Sequence, residues 1–213
     1  MTVTPMPTLI GYALVNTRIR TPLYEAAQRT LHQLRQGGQL AAEARVALNS
    51  QLCLAPSHRG QGLMPALSVQ LHQQLAPRYD VLYATVHRQN PRSMRYHQRE
   101  GYRPVAEDPE RVCFLQPIRA DAPLPDLPSG LVVRPGHSTD APALHALNQQ
   151  WTRAMRGPNL AEGFLTTLYS VADYEVICAA GEVAVLETRA HHHHAAASMG
   201  VDLAALANNP TGL

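Results

Sequence analysis

From Leu52 to Leu63 the sequence reads Leu-Cys-Leu-Ala-Pro-Ser-His-Arg-Gly-Gln-Gly-Leu, and no other passage limits the available folds as much. An apolar run ends at Pro56, two glycines follow with one residue between them, and a helical spacing then begins. The reading is a buried strand, a turn, a glycine loop and a helix start. Amides at a helix N-terminus point outward unsatisfied, and the helix dipole adds partial positive charge there. Glycines let a phosphate approach the main chain. The passage therefore predicts an anion cradle, most simply for a phosphate or pyrophosphate. The P-loop does not fit, because no Gly-Lys-Ser/Thr follows. The dinucleotide fingerprint lacks its third glycine and its acidic residue after the next strand. A glycine turn of this kind is as often only structural, so its surroundings decide.

Those surroundings alternate strands and helices, which predicts a mixed α/β fold. Leu9 to Asn16, Arg45 to Pro56, Asp80 to His87 and Arg111 to Ile118 read as strands. Arg45 to Pro56 is apolar on both parities, as a strand buried on both faces would be. Pro22 to Gln36 has helical spacing, with Pro22 in the first turn and Gly37-Gly38 as the stop. Helices are also predicted over Gly62 to Leu75 and Pro91 to Glu100. Pro123, Pro125 and Pro128 mark 119–130 as a linker. Beyond it, Leu131 to Arg134 reads as a strand and Asp140 to Met155 as a helix capped by Ser138 or Thr139. Leu160 to Ser170 reads as a second helix. Tyr174 to Ala180 and Glu182 to Arg189 read as a hairpin around Gly181.

A second motif follows the glycine loop: Val86, then Asn90-Pro91-Arg92-Ser93-Met94-Arg95-Tyr96-His97-Gln98-Arg99-Glu100-Gly101-Tyr102. With Arg59-Gly60-Gln61-Gly62-Leu63-Met64 before it, the chain resembles the GNAT superfamily of N-acetyltransferases. Met64 departs from the small residue usual at the end of the loop. The resemblance implies the GNAT acyl-CoA-binding fold, with two central strands that splay and acetyl-CoA entering between them like an extra strand. It implies that Leu52 and Leu54 border the cosubstrate and that the Leu54 amide polarises the thioester carbonyl. Amides from Arg59 through Gly60, Gln61, Gly62, Leu63 and Met64 would hold the pyrophosphate, and Asn90 and Ser93 would contact the cosubstrate. An amine substrate would attack the thioester directly while a general acid protonates the departing thiolate.

The resemblance places that acid seven residues after Asn90, at His97, where the family more often has tyrosine. An imidazole suits proton transfer, although a packing role is an equal reading on geometry. Tyr96 is adjacent but turned by about 100° along the helix. For the base, the family often uses a carboxylate on the strand before the loop. Here that strand offers Asn49, Ser50 and Gln51, and Glu43 lies too early. His87, at the end of the next strand, is the substitute. Cys53 and Trp151 read as core residues.

Leu131-Val132-Val133-Arg134-Pro135 followed by Asp140 resembles the opening of a GNAT domain. The order is thus unusual. Residues 1–118 resemble the later two-thirds of the domain and 131–189 its early strands and helices, a second partial GNAT-like unit. Residues 190–213 are a low-complexity tail, with Thr211-Gly212-Leu213 as the end of a final strand. Two accounts fit: a truncated tandem pair of domains, or halves that complete one another as a permuted or swapped domain. Third- and fourth-strand candidates in both halves favour the tandem account.

Composition bounds the remaining classes. The 213 residues are 45% hydrophobic, enough for a packed core, and the net charge of +2 argues for neither a nucleic-acid nor a membrane partner. No basic stripe with interleaved aromatics supports nucleic-acid binding. All basic side chains besides histidine are arginine, so lysine chemistry is excluded. Cys53, Cys113 and Cys178 have no disulfide or zinc spacing. His191 to His194 are adjacent, a poor geometry for convergence on one ion, so no metal is expected. Met1 to Pro7 lacks a signal-peptide pattern and no apolar run approaches ~20 residues. The expectation is a cytoplasmic acetyltransferase acting on a small molecule or peptide, and a homodimer is one expected assembly. The rival expectation is a non-catalytic acyl-CoA-binding or interaction module.

Overall fold

Successive side chains of a strand point to opposite faces, and here that alternation builds a core on each side of one sheet. The computed structural model describes residues 7–157 and 160–189. Its strands are β1 Leu9–Val15, β2 Val46–Leu54, β3 Val81–His87, β4 Arg103–Glu107, β5 Arg111–Pro117, β6 Leu131–Pro135 and β7 Val183–Thr188. They lie in the order β4-β5-β3-β2-β1-β7-β6. Neighbours pair antiparallel except β2 and β3, which are parallel. The helices are α1 Pro22–Gln36, α2 Met64–Leu75, α3 Pro91–Arg99, α4 Ala141–Gln150, α5 Arg153–Arg156 and α6 Val171–Ala179.

One face of the sheet is covered by α2. Its Leu67, Leu71 and Leu75 pack with Ile10, Ala13, Ala47, Leu82, Ala84, Val86, Ala184 and Leu186. The opposite face has two clusters. Ala141, Leu144 and Leu147 of α4 and Tyr174, Ile177 and Cys178 of α6 cover Tyr12, Leu14, Val183 and Val185. Ala27, Leu31 and Leu34 of α1 cover Leu48, Tyr83 and Leu115. The sheet is therefore the middle of three layers.

Local signals explain the boundaries. Thr21 caps α1 by accepting the Tyr24 amide, with Pro22 in the first turn. Asn90 caps α3 through the Ser93 amide at 3.1 Å. Arg134 joins the C-terminal stretch to itself: it contacts Asp140 at 2.7 Å and Glu187 at 2.7 Å, tying β6 to the start of α4 and to β7.

Several expectations need correction. Tyr174 to Ala180 is not a strand but lies within α6 and its C-cap, so no hairpin turns around Gly181. A reciprocal capping box between Ser170 and Asp173 starts this helix, and its aromatic and β-branched residues Tyr174 and Ile177 pack into the core beside Cys178. Leu160 to Ser170 holds only a 3-10 turn, Leu160–Glu162. Gly163, at φ 91°, ends that turn and directs Phe164 and Leu165 into extended backbone. The helix expected over Asp140 to Met155 breaks at Trp151, whose carbonyl accepts the Leu165 amide at 2.7 Å. A 3-10 turn, Ser138–Asp140, precedes α4 in place of a Ser138 or Thr139 side-chain cap. β4 has no counterpart among the strands expected from sequence.

The loss of the hairpin has a consequence for chain order. Among the described residues, the C-terminal stretch supplies two strands, β6 and β7, and both extend the sheet that begins at β1. Tyr174 to Ala180 thus drops out of the strand candidates of the C-terminal stretch. The expected tail strand at Thr211-Gly212-Leu213, and His191 to His194, lie outside the described residues.

If β7 is bound to β1 as the register indicates, a proteolytic nick in the exposed linker between Asp121 and Ser129 will not release the C-terminal stretch. The two fragments should co-elute on native gel filtration and separate only in denaturant. Independent elution without denaturant would refute a shared sheet.

Candidate active site

β2 and β3 pair from Val46–Val81 to Asn49–Ala84, and there the pairing stops. Both strands continue, β2 to Leu54 and β3 to His87, each held only by its outer neighbour. The register explains the parting. Leu14 faces Gln51 and Val15 faces Asn49, so Ser50 is an extra residue in β2, a bulge. A bulge bends its strand and raises the local twist.

Backbone direction in the gap follows from the ladder. The Ala55 amide donates to Ile10 O at 2.7 Å across the Leu54–Gly11 pair. In an antiparallel ladder the N–H and C=O of Leu54, and of Leu52 two residues before, then point away from β1 and into the gap. On the far side, Arg88 N–H donates to Glu110 O across the His87–Arg111 pair, so Thr85 turns its own N–H and C=O into the gap. Gly11 permits this arrangement: a Cβ there would sit 2.4 Å from Leu54 Cδ2.

A cavity of about 350 Å³ fills the gap. Its walls include Leu52, Leu54, Arg59, Gly60, Met64, His87, Asn90, Ser93, Tyr96 and His97, so most of the residues expected at the site meet here. Gln61, Gly62 and Leu63 are not in its lining. They complete the loop at the cavity's end, where Gly60 and Gly62 take φ of 77° and 71°. Gln61 is exposed and donates to Ser57 O at 3.1 Å. Leu63 is buried beneath α2. No side chain caps α2, and Pro65 removes one donor from its first turn. The remaining first-turn amides stay open to an anion. A strand bulge, a parting of two parallel strands and a glycine loop thus lie in sequence along one slot.

The architecture is a mixed α/β sheet whose one parallel pair parts over a glycine loop. No protein-family model matches the sequence, and no curated protein does either. Similar solved structures include an acetyltransferase from Thermus thermophilus, 27% identical over 36% of this chain and 50% of that one, with a TM-score of 0.31. This chain therefore spans half the length of that protein. A candidate GNAT-family acetyltransferase from Desulfovibrio desulfuricans is 14% identical over 48% of this chain and 86% of its own, TM-score 0.33. A candidate acyl-CoA N-acyltransferase from Klebsiella pneumoniae is 15% identical over 50% and 98%, TM-score 0.33. Likenesses this partial carry no functional weight.

Within this slot the expected site residues differ in what they are free to do. His97 is 4% exposed and packs against Tyr102 and Phe114. Its Nδ1 lies 2.8 Å from Ser93 O, which fixes Nδ1 as the protonated nitrogen. Burial pushes its pKa down to about 4. A neutral imidazole whose N–H is committed to a carbonyl is not a proton donor. Tyr96, the residue that helical phase turns aside, nonetheless lines the cavity, and its buried hydroxyl has Ser68 of α2 as its nearest polar neighbour, short of a well-formed hydrogen bond. Burial raises its pKa, with Ser68 near enough to offset this in part. The phenol therefore keeps its proton throughout the neutral range.

His87 is also constrained. Its Nδ1 accepts the Gln89 amide at 3.1 Å, and its Nε2 faces the Arg153 guanidinium at 3.4 Å. Burial and the neighbouring Arg153 and Arg111 lower its pKa. Asn90 is fully used: its Oδ1 caps α3 and its Nδ2 donates to Phe164 O at 3.1 Å. Gln51 occupies the β2 wall, where its Oε1 accepts from Tyr12 at 2.9 Å and Tyr174 at 3.1 Å. The Cys53 thiol is pushed up to about 12 by burial, so it is no nucleophile.

Trp151, Glu162, Gly163, Phe164, Leu165 and Thr166 form a wall that sequence reading did not assign to the site. Arg59 is drawn into it: its guanidinium stacks 3.4 Å from the Trp151 ring centroid and its Nε donates to Leu54 O at 2.9 Å.

His97 and His72, the latter also pushed down to about 4 by burial, are expected to titrate far below ordinary histidines in NMR pH titrations. Both folded pKa values lie below the unfolded value, so the unfolded chain binds more protons as pH falls. Stability should therefore drop between about pH 6.5 and about pH 4 and level off below. Titration of both rings near 6.5 would contradict their burial.

Proposed function

We propose that this chain is a GNAT-superfamily N-acetyltransferase, moving an acetyl group from acetyl-CoA to the amine of a small molecule or peptide by direct attack. The observation that carries this reading is the gap between β2 and β3, edged by inward-facing backbone groups of Leu52, Leu54 and Thr85 and ended by the glycine loop. An extended amide-containing ligand fits there as an added strand, the mode by which peptides join sheet edges. The pantetheine arm of acetyl-CoA has that chemistry, and amides from Arg59 to Met64 would take its pyrophosphate. Asn90 and Ser93 shape the other wall; the Asn90 side chain acts by capping α3 and tethering Phe164. The Leu54 N–H, fixed in the gap, would stabilise charge developing on the thioester oxygen.

The amine nitrogen attacks the thioester carbon, and collapse of the intermediate breaks the C–S bond. Tyr96 is the side chain we assign to the thiolate: its phenol donates its proton to sulfur, and the proton leaving the amine nitrogen restores it. His97 supports Tyr96 by packing, and His87 serves the wall facing Phe164. The amine arrives neutral or loses its proton to water, since β2 has no carboxylate at Gln51. Three free, buried cysteines suit a reducing cytoplasm.

Three measurements test this. Acetyl-CoA is expected to alter the emission of Trp151, the chain's single tryptophan, because pantetheine pairing at Leu54 displaces Arg59 from Leu54 O and from the indole. Tyr96→Phe should lower kcat by about 100-fold at unchanged acetyl-CoA affinity. Gly62→Ala, forced to φ 71°, should lose about 1 kcal/mol of stability and weaken acetyl-CoA binding. An unaltered kcat in Tyr96→Phe would remove the phenol from the mechanism. A second reading, an acyl-CoA-binding module without catalysis, is favoured by the saturated Gln51 amide where a base would stand. Acetyl-CoA binding without turnover across an amine panel would select it.

A further inference from the structure

Two guanidinium groups meet over one neutral oxygen at the cavity wall. Arg59 Nη1 and Arg92 Nη1 each lie 3.4 Å from the main-chain carbonyl of Glu162. They come from opposite sides of the gap, Arg59 from the turn after β2 and Arg92 from the first turn of α3. Contacts of 3.4 Å are weak hydrogen bonds. Arg59 also donates to Leu54 O, stacks on Trp151 and feels the Glu162 carboxylate, but neither guanidinium forms a salt bridge among the described residues. Glu162 is the one carboxylate in the cavity lining among the described residues, and its side chain pairs with Arg156 instead. Arg99 adds a third guanidinium to the lining. Beside them the buried Trp151 has an indole N–H with no hydrogen-bond partner among the described residues. The wall thus carries positive charge and an idle donor that the protein itself does not satisfy.

We propose that Arg59 and Arg92 form a carboxylate subsite for the acceptor, so that the amine acetylated here also carries an acid group, as an amino acid does. This rests on the acetyl-transfer reading above. A carboxylate entering between the two guanidiniums would exchange two weak bonds to a carbonyl for charge-assisted ones, which are shorter and roughly twice as strong. The same chemistry would suit a phosphate of the cosubstrate. The loop amides and the uncapped α2 N-terminus already offer donors for that group, whereas the Arg59 and Arg92 side chains converge on the Glu162 carbonyl.

The test needs no turnover for its first arm. Binding of N-acetylalanine and N-acetylalaninamide to the full chain loaded with CoA is measured by calorimetry, with Arg92→Met beside the unaltered protein. The acid is expected to bind at least ten times more tightly than the amide, and Arg92→Met should abolish that preference while changing acetyl-CoA affinity less than twofold. In the second arm, the ratio of kcat/KM for alanine over alaninamide should fall at least tenfold in Arg92→Met. Arg92 is exposed, and matched thermal unfolding confirms that the variant folds. Equal binding of acid and amide overturns the subsite. So does a loss of acetyl-CoA affinity without a change in acid preference, which would give the guanidiniums to the cosubstrate's phosphates. Acid preference that depends on Arg92 in a chain without turnover for any amine would uphold the subsite and defeat the transferase reading.

Discussion

The single extra residue at Ser50 is the constraint on which the site depends. Before it, β2 sends Val46 and Leu48 to the α1 face and Ala47 to the α2 face. After it the parity reverses, with Cys53 on the α4 face and Leu52 and Leu54 on the α2 face. Pairing with β3 ends one residue before the bulge, at Asn49. A regular strand would carry the ladder on to Leu54 and close the slot. Antiparallel partners on the outside, β1 for β2 and β5 for β3, hold the two strands while their facing edges stay open. Unpaired edges of this kind are costly unless water or a ligand satisfies them, which makes the gap a place for occupancy and not a packing defect.

The α3 wall shows how burial redistributes roles between neighbouring side chains. Residue 97 lies on the face that packs against Phe114, and its imidazole is neutral and bound to its own helix through Ser93 O. Residue 96, one step around, keeps a buried hydroxyl beside Ser68 at the cavity wall. The intrinsic pKa of histidine would have favoured residue 97, but solvation decides otherwise: desolvation removes the second proton of an imidazolium and retains the proton of a phenol. Side-chain identity and protonation point in opposite directions here.

Much of the slot was readable in the sequence, and what was not readable has physical causes. The glycine loop, the Asn90 cap and the strands beside them carry local signals: glycines at positive φ, a capping side chain, apolar runs. Even the mixed parity of Val46 to Leu54 was visible, although it suggested burial on both faces and not a bulge that reverses them. Tyr174 to Ala180 misled because its β-branched and aromatic content suits a strand while the Ser170–Asp173 capping box starts a helix, and Leu160 to Ser170 misled because Gly163 ends its helical turn. The wall from Trp151 to Thr166 had no signal at all. Its position follows from long-range bonds, Asn90 to Phe164 O and Leu165 to Trp151 O, that no local pattern encodes.

Gln51 links these observations. It follows the bulge directly, lines the cavity, and gathers the hydroxyls of Tyr12 from β1 and Tyr174 from α6 on one oxygen. Its Nε2 donates to Thr167 O at 2.5 Å, at the end of the loop that forms the far wall. The amide is thus the point where the N-terminal strands, the α6 helix and the 160–170 loop are fixed relative to one another. Burial of these polar groups is tolerable only while all remain bonded, so the network allows little displacement of the C-terminal stretch from β1 and β2. An ionised carboxylate at this position could not donate to the Thr167 carbonyl and would face it as a second acceptor. The residue that would have made the strongest base in the slot is therefore excluded by the same bond that holds the far wall in place.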